Sequence, residues 1–110
     1  MMVIDMPAAI AGYFKADGAR DASAVADCFT TDGVVHDEGH THVGRDAIRA
    51  WTGDYLAKYN PTAEPFAIDE VDGRTVVTSH VSGDFPGSPI DLRFMFTLDG
   101  DAISSLEVKP

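Results

Sequence analysis

Basic residues are scarce: eight Lys and Arg stand against 18 Asp and Glu, a formal net charge of −10 over 110 residues. Phosphate binding needs a basic patch, so nucleic acid is excluded as a main partner, and an anionic membrane surface with it. The one cysteine, Cys28, cannot form an internal disulfide, which rules out a disulfide framework. No apolar run is long enough to span a bilayer. Met1 to Met6 include Asp5, and no basic residue precedes Lys15, so the pattern of a secretory leader is missing and a cytoplasmic location is expected. Also missing are a Gly-x-Ser-x-Gly elbow, a phosphate-binding glycine loop and the ligand spacing of a zinc site, so no cofactor or metal is expected. Without a repeat, a linker or a low-complexity tract, residues 1–110 read as one domain.

What is present is enough apolar material for a core: 45% hydrophobic residues and 9% aromatics. Pro7 suits the first turn of a helix. Ile10, Tyr13, Phe14 and Asp17 follow at helical spacing, the apolar members on one face, and Gly18 stops the run. Asp21 is placed to cap a short second helix that buries Val25, Cys28 and Phe29. Gly44 opens a third helix with Asp46 in its first turn and an apolar stripe of Ile48, Trp51, Tyr55, Leu56 and Tyr59. Asn60–Pro61 ends it, because proline disfavours helix in the residue before it.

Between the second and third helices, Thr31, Asp32 and Gly33 read as a turn, Val34 to Glu38 as a short strand and Gly39 to Val43 as a polar loop. In the strand, Val35 and Asp37 point to one face and Val34, His36 and Glu38 to the other. After Pro61 the pattern is antiparallel sheet. Phe66 and Ile68 alternate, Asp72–Gly73 is a hairpin turn, and Thr75 to Ser82 forms the next strand. Gly83 to Pro89 is a turn-rich connection. Ile90, Leu92, Phe94, Phe96 and Leu98 alternate without a break, Asp99–Gly100 reads as a second hairpin turn, and Ile103 to Val108 closes the chain. Helices followed by a strand meander predict an α+β fold with helices on one face of a curved sheet.

The order helix, short helix, Val34-Val35-His36-Asp37, Gly44-Arg45-Asp46-Ala47-Ile48-Arg49-Ala50-Trp51, then meander resembles the SnoaL-like branch of the nuclear transport factor 2-like superfamily. The segment Val81 to Pro89 and the ending Leu98-Asp99-Gly100-Asp101-Ala102-Ile103 add to the likeness, which covers nearly the whole chain. The resemblance implies a cone-shaped α+β barrel, with a pocket between N-terminal helices and a curved, mainly antiparallel sheet. It also implies a homodimer through the sheet. Its members include ketosteroid isomerases, polyketide cyclases, epoxide hydrolases, dehydratases and non-catalytic binding modules, so fold alone leaves the activity open.

Asp37 stands where the ketosteroid isomerases of this superfamily carry their general-base aspartate, and Tyr13 matches their oxyanion-hole tyrosine. The chemistry suits both. Burial raises a carboxylate's pKa toward neutrality, and a buried O–H can stabilise an enolate-like oxygen. Where those enzymes place a second, protonated acid, the resemblance puts Phe94, which removes half of that hole. Trp51, Tyr55, Phe94 and Phe96 are expected to wall an apolar pocket or, equally, to pack as core. His36, Asp37, Glu38, His40 and His42 hold metal-ligating atoms, but alternation sends His36 and Asp37 to opposite faces. His80 falls with Asp91 and Arg93 on the outer face, where it suits a dimer contact; a bulge reversing the parity would turn it into the pocket. Asp91 and Arg93 resemble part of the epoxide hydrolase arrangement, but their outward parity opposes it. Two readings follow: an isomerase- or cyclase-type proton-transfer enzyme on an apolar carbonyl compound, or a non-catalytic ligand-binding or dimerisation module.

Overall fold

A computed structural model describes residues 5–110, so the first four residues of the stretch read above for a leader lie outside it. Helices α1 (Ala8–Gly18), α2 (Ala22–Asp27) and α3 (Arg45–Tyr59) combine with strands β1 (Phe29–Asp37), β2 (His40–Val43), β3 (Thr62–Val71), β4 (Arg74–Ser82), β5 (Ile90–Asp99) and β6 (Ala102–Lys109). The strands form one six-stranded sheet in the order β2-β1-β6-β5-β4-β3. Among the described residues, only the β1–β6 pair is parallel. This is the expected α+β architecture. The sheet does not close into a barrel: β2 and β3 remain as edges, and the helices cover the concave side.

Local chemistry accounts for the helix ends. The Pro7 carbonyl accepts from Ile10 and Ala11 at 3.0 and 2.9 Å, so Pro7 caps α1 one residue before its first turn. The Asp21 carboxylate accepts from the Ala24 N–H at 3.0 Å and starts α2. Asn60, at φ 43°, takes the left-handed conformation that asparagine tolerates, and Pro61 prevents α3 from continuing. Arg20 fastens this corner by donating to the Pro61 carbonyl and, at 3.0 Å, to Asn60 Oδ1. No helix among the described residues is long and apolar enough to cross a membrane.

The strands depart from the sequence expectations at three places. First, β1 begins at Phe29, not Val34. Phe29 pairs with Ile103 and Val34 with Ser105, so the stretch read as a turn bulges out within the strand. Gly33 is required there, because a Cβ would lie 2.9 Å from the Phe29 Cβ. Second, the polar loop after Gly39 is partly a strand: β2 pairs antiparallel with β1, Val34 with Val43 through Asp37 with His40. Third, the β5–β6 turn residues are Gly100 and Asp101, with Asp99 still paired to Ala102. Only Gly100 of the two has positive φ (59°), as a type II′ turn requires. The Asp72–Gly73 turn stands as read, with φ of 52° and 78° matching type I′.

Curvature comes from irregular pairing. Phe66 is left unpaired between Pro65–Ser79 and Ala67–Thr78, and Ser104 between Thr97–Ser105 and Leu98–Ile103. Phe66 is accordingly exposed, while Ile68 turns to the core. The concave face and the helices bury Ile10, Tyr13, Val25, Phe29, Val35, Ile48, Val77, Phe96, Ile103 and Leu106 at 0–1% exposure. Each full burial of a large apolar side chain contributes roughly 1.5–3 kcal/mol.

Candidate active site

A cavity of about 790 Å³ lies between α1, α3 and the inner face of the sheet. The size falls within the range of roughly 300–1,000 Å³ usual for small-molecule sites. Its mouth is marked by exposed Glu38, Gly39, Pro86, Lys109 and Pro110. Its walls include Tyr13 from α1, Trp51, Tyr55 and Tyr59 from α3, Phe94 from β5, and Phe85 from the β4–β5 connection. Two four-residue steps put Trp51, Tyr55 and Tyr59 along one face of α3. Tyr59 meets Phe85 edge-on at 5.8 Å between centroids.

Of the four acidic residues that line the cavity, Asp17, Asp37, Glu38 and Glu107, the two aspartates are each tethered by one oxygen to an aromatic donor. Asp37, at the end of β1, is half-buried and accepts from the Trp51 indole N–H through Oδ2 at 3.1 Å. Burial raises its pKa, and the Glu38 charge raises it further. The Trp51 bond, His42 and His40 pull the other way. Asp17, on α1, is 5% exposed and accepts through Oδ1 from the Tyr55 hydroxyl. Burial raises its pKa too, against the Tyr55 bond and the nearby Arg20 charge. Tyr13 and Tyr55 lie close together, and burial holds both well above the ordinary phenol value, so both remain O–H donors. Asp17, Tyr55 and Tyr13 therefore form one polar cluster in the buried part of the cavity. Asp37 is near enough for its charge to raise Tyr13 as well.

Asp37, Tyr13, Trp51, Tyr55 and Phe94 all line the cavity. Phe96, expected at the wall, is instead sealed in the core at 0% exposure, packed edge-on against Tyr13 at 5.4 Å. Parity explains the inward aim of Asp37: Val35, two residues earlier on the same face, is fully buried. His40 and His42 pair with Asp37 and Val35 and share their face, whereas His36 pairs with Thr41 on the other and bonds its Oγ1 at 3.1 Å. The His42 ring tilts over Trp51 at 5.9 Å. His80 is on the outer face, its Nδ1 2.9 Å from Asp91 Oδ1, and Arg93 is exposed beside them. Asp17 was not anticipated as a site residue. The available signal was an acidic residue four positions after Tyr13, on the apolar stripe of an amphipathic helix.

The profile of the SnoaL-like domain family matches residues 10–104, and the chain belongs to that family. Among solved structures, the chain is similar to a proposed polyketide cyclase from Sinorhizobium meliloti. The two share 35% identity with a TM-score of 0.92, over 99% of this chain and 100% of the other. A protein with a ketosteroid isomerase-like fold from Catenulispora acidiphila, in complex with trimethylamine, has 18% identity and a TM-score of 0.83, over 96% of this chain and 87% of its own. A protein from Sphaerobacter thermophilus has 26% identity and a TM-score of 0.76, over 96% of both chains. No curated protein matches the chain.

Proposed function

We propose that this SnoaL-like protein performs proton transfer on an apolar carbonyl compound, as an isomerase or cyclase does, with Asp37 as the base and Tyr13 as donor to the carbonyl oxygen. The observation that carries the reading is a half-buried carboxylate, raised by burial, facing an aromatic cavity that also holds a buried phenol. A base poised nearer neutrality exchanges protons efficiently, and a positioned one contributes about 10²–10⁴ in rate. The Tyr55 hydroxyl is fixed on Asp17 beside Tyr13, which keeps that end of the cavity polar without using the Tyr13 O–H. The likeness to a proposed polyketide cyclase points to the same substrate class.

The test is exchange of the α-protons of 2-tetralone in D2O, followed by proton NMR. Acceleration over buffer is expected, with a loss of at least about a hundredfold in Asp37→Asn. Equal exchange by the two proteins removes Asp37 as the base. A second reading, non-catalytic binding, is favoured by Phe94, an apolar ring on the wall where the resemblance calls for a second acid. A ligand that raises the Tm and is recovered unchanged supports it. A homodimer through the outer face of the sheet belongs to either reading, and a monomeric mass in solution removes it.

A further inference from the structure

The wall of the cavity is unusual in its balance of charge. It contains Asp17 and Asp37, but its single Lys or Arg is Lys109, which is exposed at the mouth and lies 3.6 Å from Glu107. Among the described residues, neither Asp17 nor Asp37 has an ion-pair partner within 4.0 Å. Each is tethered instead by a neutral aromatic donor. Asp17 uses Oδ1 for the Tyr55 hydroxyl, and no hydrogen bond among the described residues reaches its Oδ2. Arg20 acts on Asp17 through charge, but its guanidinium is bonded to the Pro61 carbonyl and Asn60 Oδ1. A carboxylate at 5% exposure with one oxygen unengaged lacks the cation that normally accompanies a buried anion. The same cavity is lined by Tyr13, Tyr55, Tyr59 and Phe94, and aromatic faces attract cations as well as apolar groups.

We infer that the cavity takes a ligand bearing a cationic nitrogen, its ammonium group set against Asp17 Oδ2 and its apolar body against the aromatic walls. An ammonium supplies the missing positive charge and lets Asp17 ionise without loosening the Tyr55 bond. Charge-assisted contact in a desolvated site is stronger than the neutral equivalent. Asp37 stays available for chemistry at the other tether. The inference rests on the cavity's role as a small-molecule site and not on turnover, so the two readings fail separately.

The test compares benzyltrimethylammonium with neopentylbenzene, its uncharged isostere, by titration calorimetry and by the emission of Trp51, the one tryptophan of the chain. The cation is expected to bind at least about tenfold more tightly. Asp17→Asn keeps the side-chain shape and an acceptor for Tyr55, and is expected to lower cation affinity about tenfold while leaving neopentylbenzene unchanged. Equal or tighter binding of neopentylbenzene to the unsubstituted protein overturns the inference and leaves the proton-transfer reading standing. Unchanged cation affinity in a folded Asp17→Asn variant also overturns it. Binding of neither compound at millimolar concentration overturns the inference and removes the cavity as a small-molecule site as well. The isosteric pair on the unsubstituted protein decides the charge preference even if the variant fails to fold.

Discussion

The Trp51 indole N–H, on α3, donates to Asp37 Oδ2, at the end of β1, across 3.1 Å. This bond joins the longest helix to the strand that carries the candidate base. An indole N–H can only donate, so it favours the ionised carboxylate and opposes the rise that burial imposes on Asp37. It also leaves Oδ1 as the oxygen with no partner among the described residues.

Trp51→Phe removes that donor and keeps a ring on the wall. The Asp37 pKa is then expected to move further above its ordinary value, since burial and Glu38 persist while the largest opposing contribution is gone. The acid limb of any proton-transfer profile moves to higher pH with it, because the carboxylate form appears later. At neutral pH the expected loss is up to about tenfold, recovered as pH rises, which is the signature of a shifted base and not of a lost one. A carboxyl-carbon NMR titration of Asp37 measures the shift without a substrate. An unchanged or lowered value would show that the indole does not set the protonation of Asp37.

Gly83→Ala tests the other end of the cavity. A Cβ at Gly83 would stand 2.6 Å from the Tyr59 carbonyl oxygen and 3.1 Å from the Pro61 Cα, both backbone atoms. The adjoining Asp84 N–H donates to the same Tyr59 carbonyl at 2.7 Å, so the helix end and the β4–β5 connection cannot separate without breaking that bond. Overpacking of this kind costs about 1–3 kcal/mol. The expected outcome is a lower urea midpoint with an unchanged m value. A midpoint equal to that of the unsubstituted protein means the connection moves freely, and with it the Tyr59–Phe85 contact.

Much of this fold was legible from local pattern. Gly44 and Asn60–Pro61 bound α3 because their chemistry is confined to a few consecutive residues. The run Ile90 to Leu98 gave β5 because alternation needs no knowledge of the partner strand. The inward aim of Asp37 followed from its parity with Val35. What stayed hidden depends on distant partners. Edge strand β2, with His40, Thr41 and His42, has the composition of a loop and becomes a strand by pairing with β1. The bulged start of β1 is set by its parallel alignment with β6, more than 60 residues later. Phe96 shares the alternation of Phe94, and both rings pack against Tyr13 and Phe14, so strand parity does not tell which of the two reaches the cavity.

Asp17 shows the same limit in the site itself. A carboxylate on an apolar helix stripe reads as an interruption of the stripe. Its meaning comes from Tyr55, 38 residues away, whose hydroxyl it accepts. Two titratable residues matched to each other across α1 and α3 leave no local trace beyond one residue that breaks a pattern.

That buried carboxyl should be visible in the pH dependence of stability. Asp17 has a folded-state pKa raised above its ordinary 3.8, chiefly by burial. Below pH 3.8 the group is protonated in both folded and unfolded chains and contributes equally to each. Above it the unfolded chain releases the proton first, so stability falls with pH until the raised folded value is passed and then levels off. Asp17→Asn cannot titrate. Its stability relative to the unsubstituted protein is therefore expected to increase with pH through that window and to stay constant above it. Urea denaturation of both proteins across pH 3.5 to 8 measures the difference, with Asp37 present in each so that its own titration cancels to a first approximation. A relative stability that falls with rising pH would mean that Asp17 is held ionised by a cation already within the fold. The same result would remove the unpaired buried carboxylate on which the ammonium site rests.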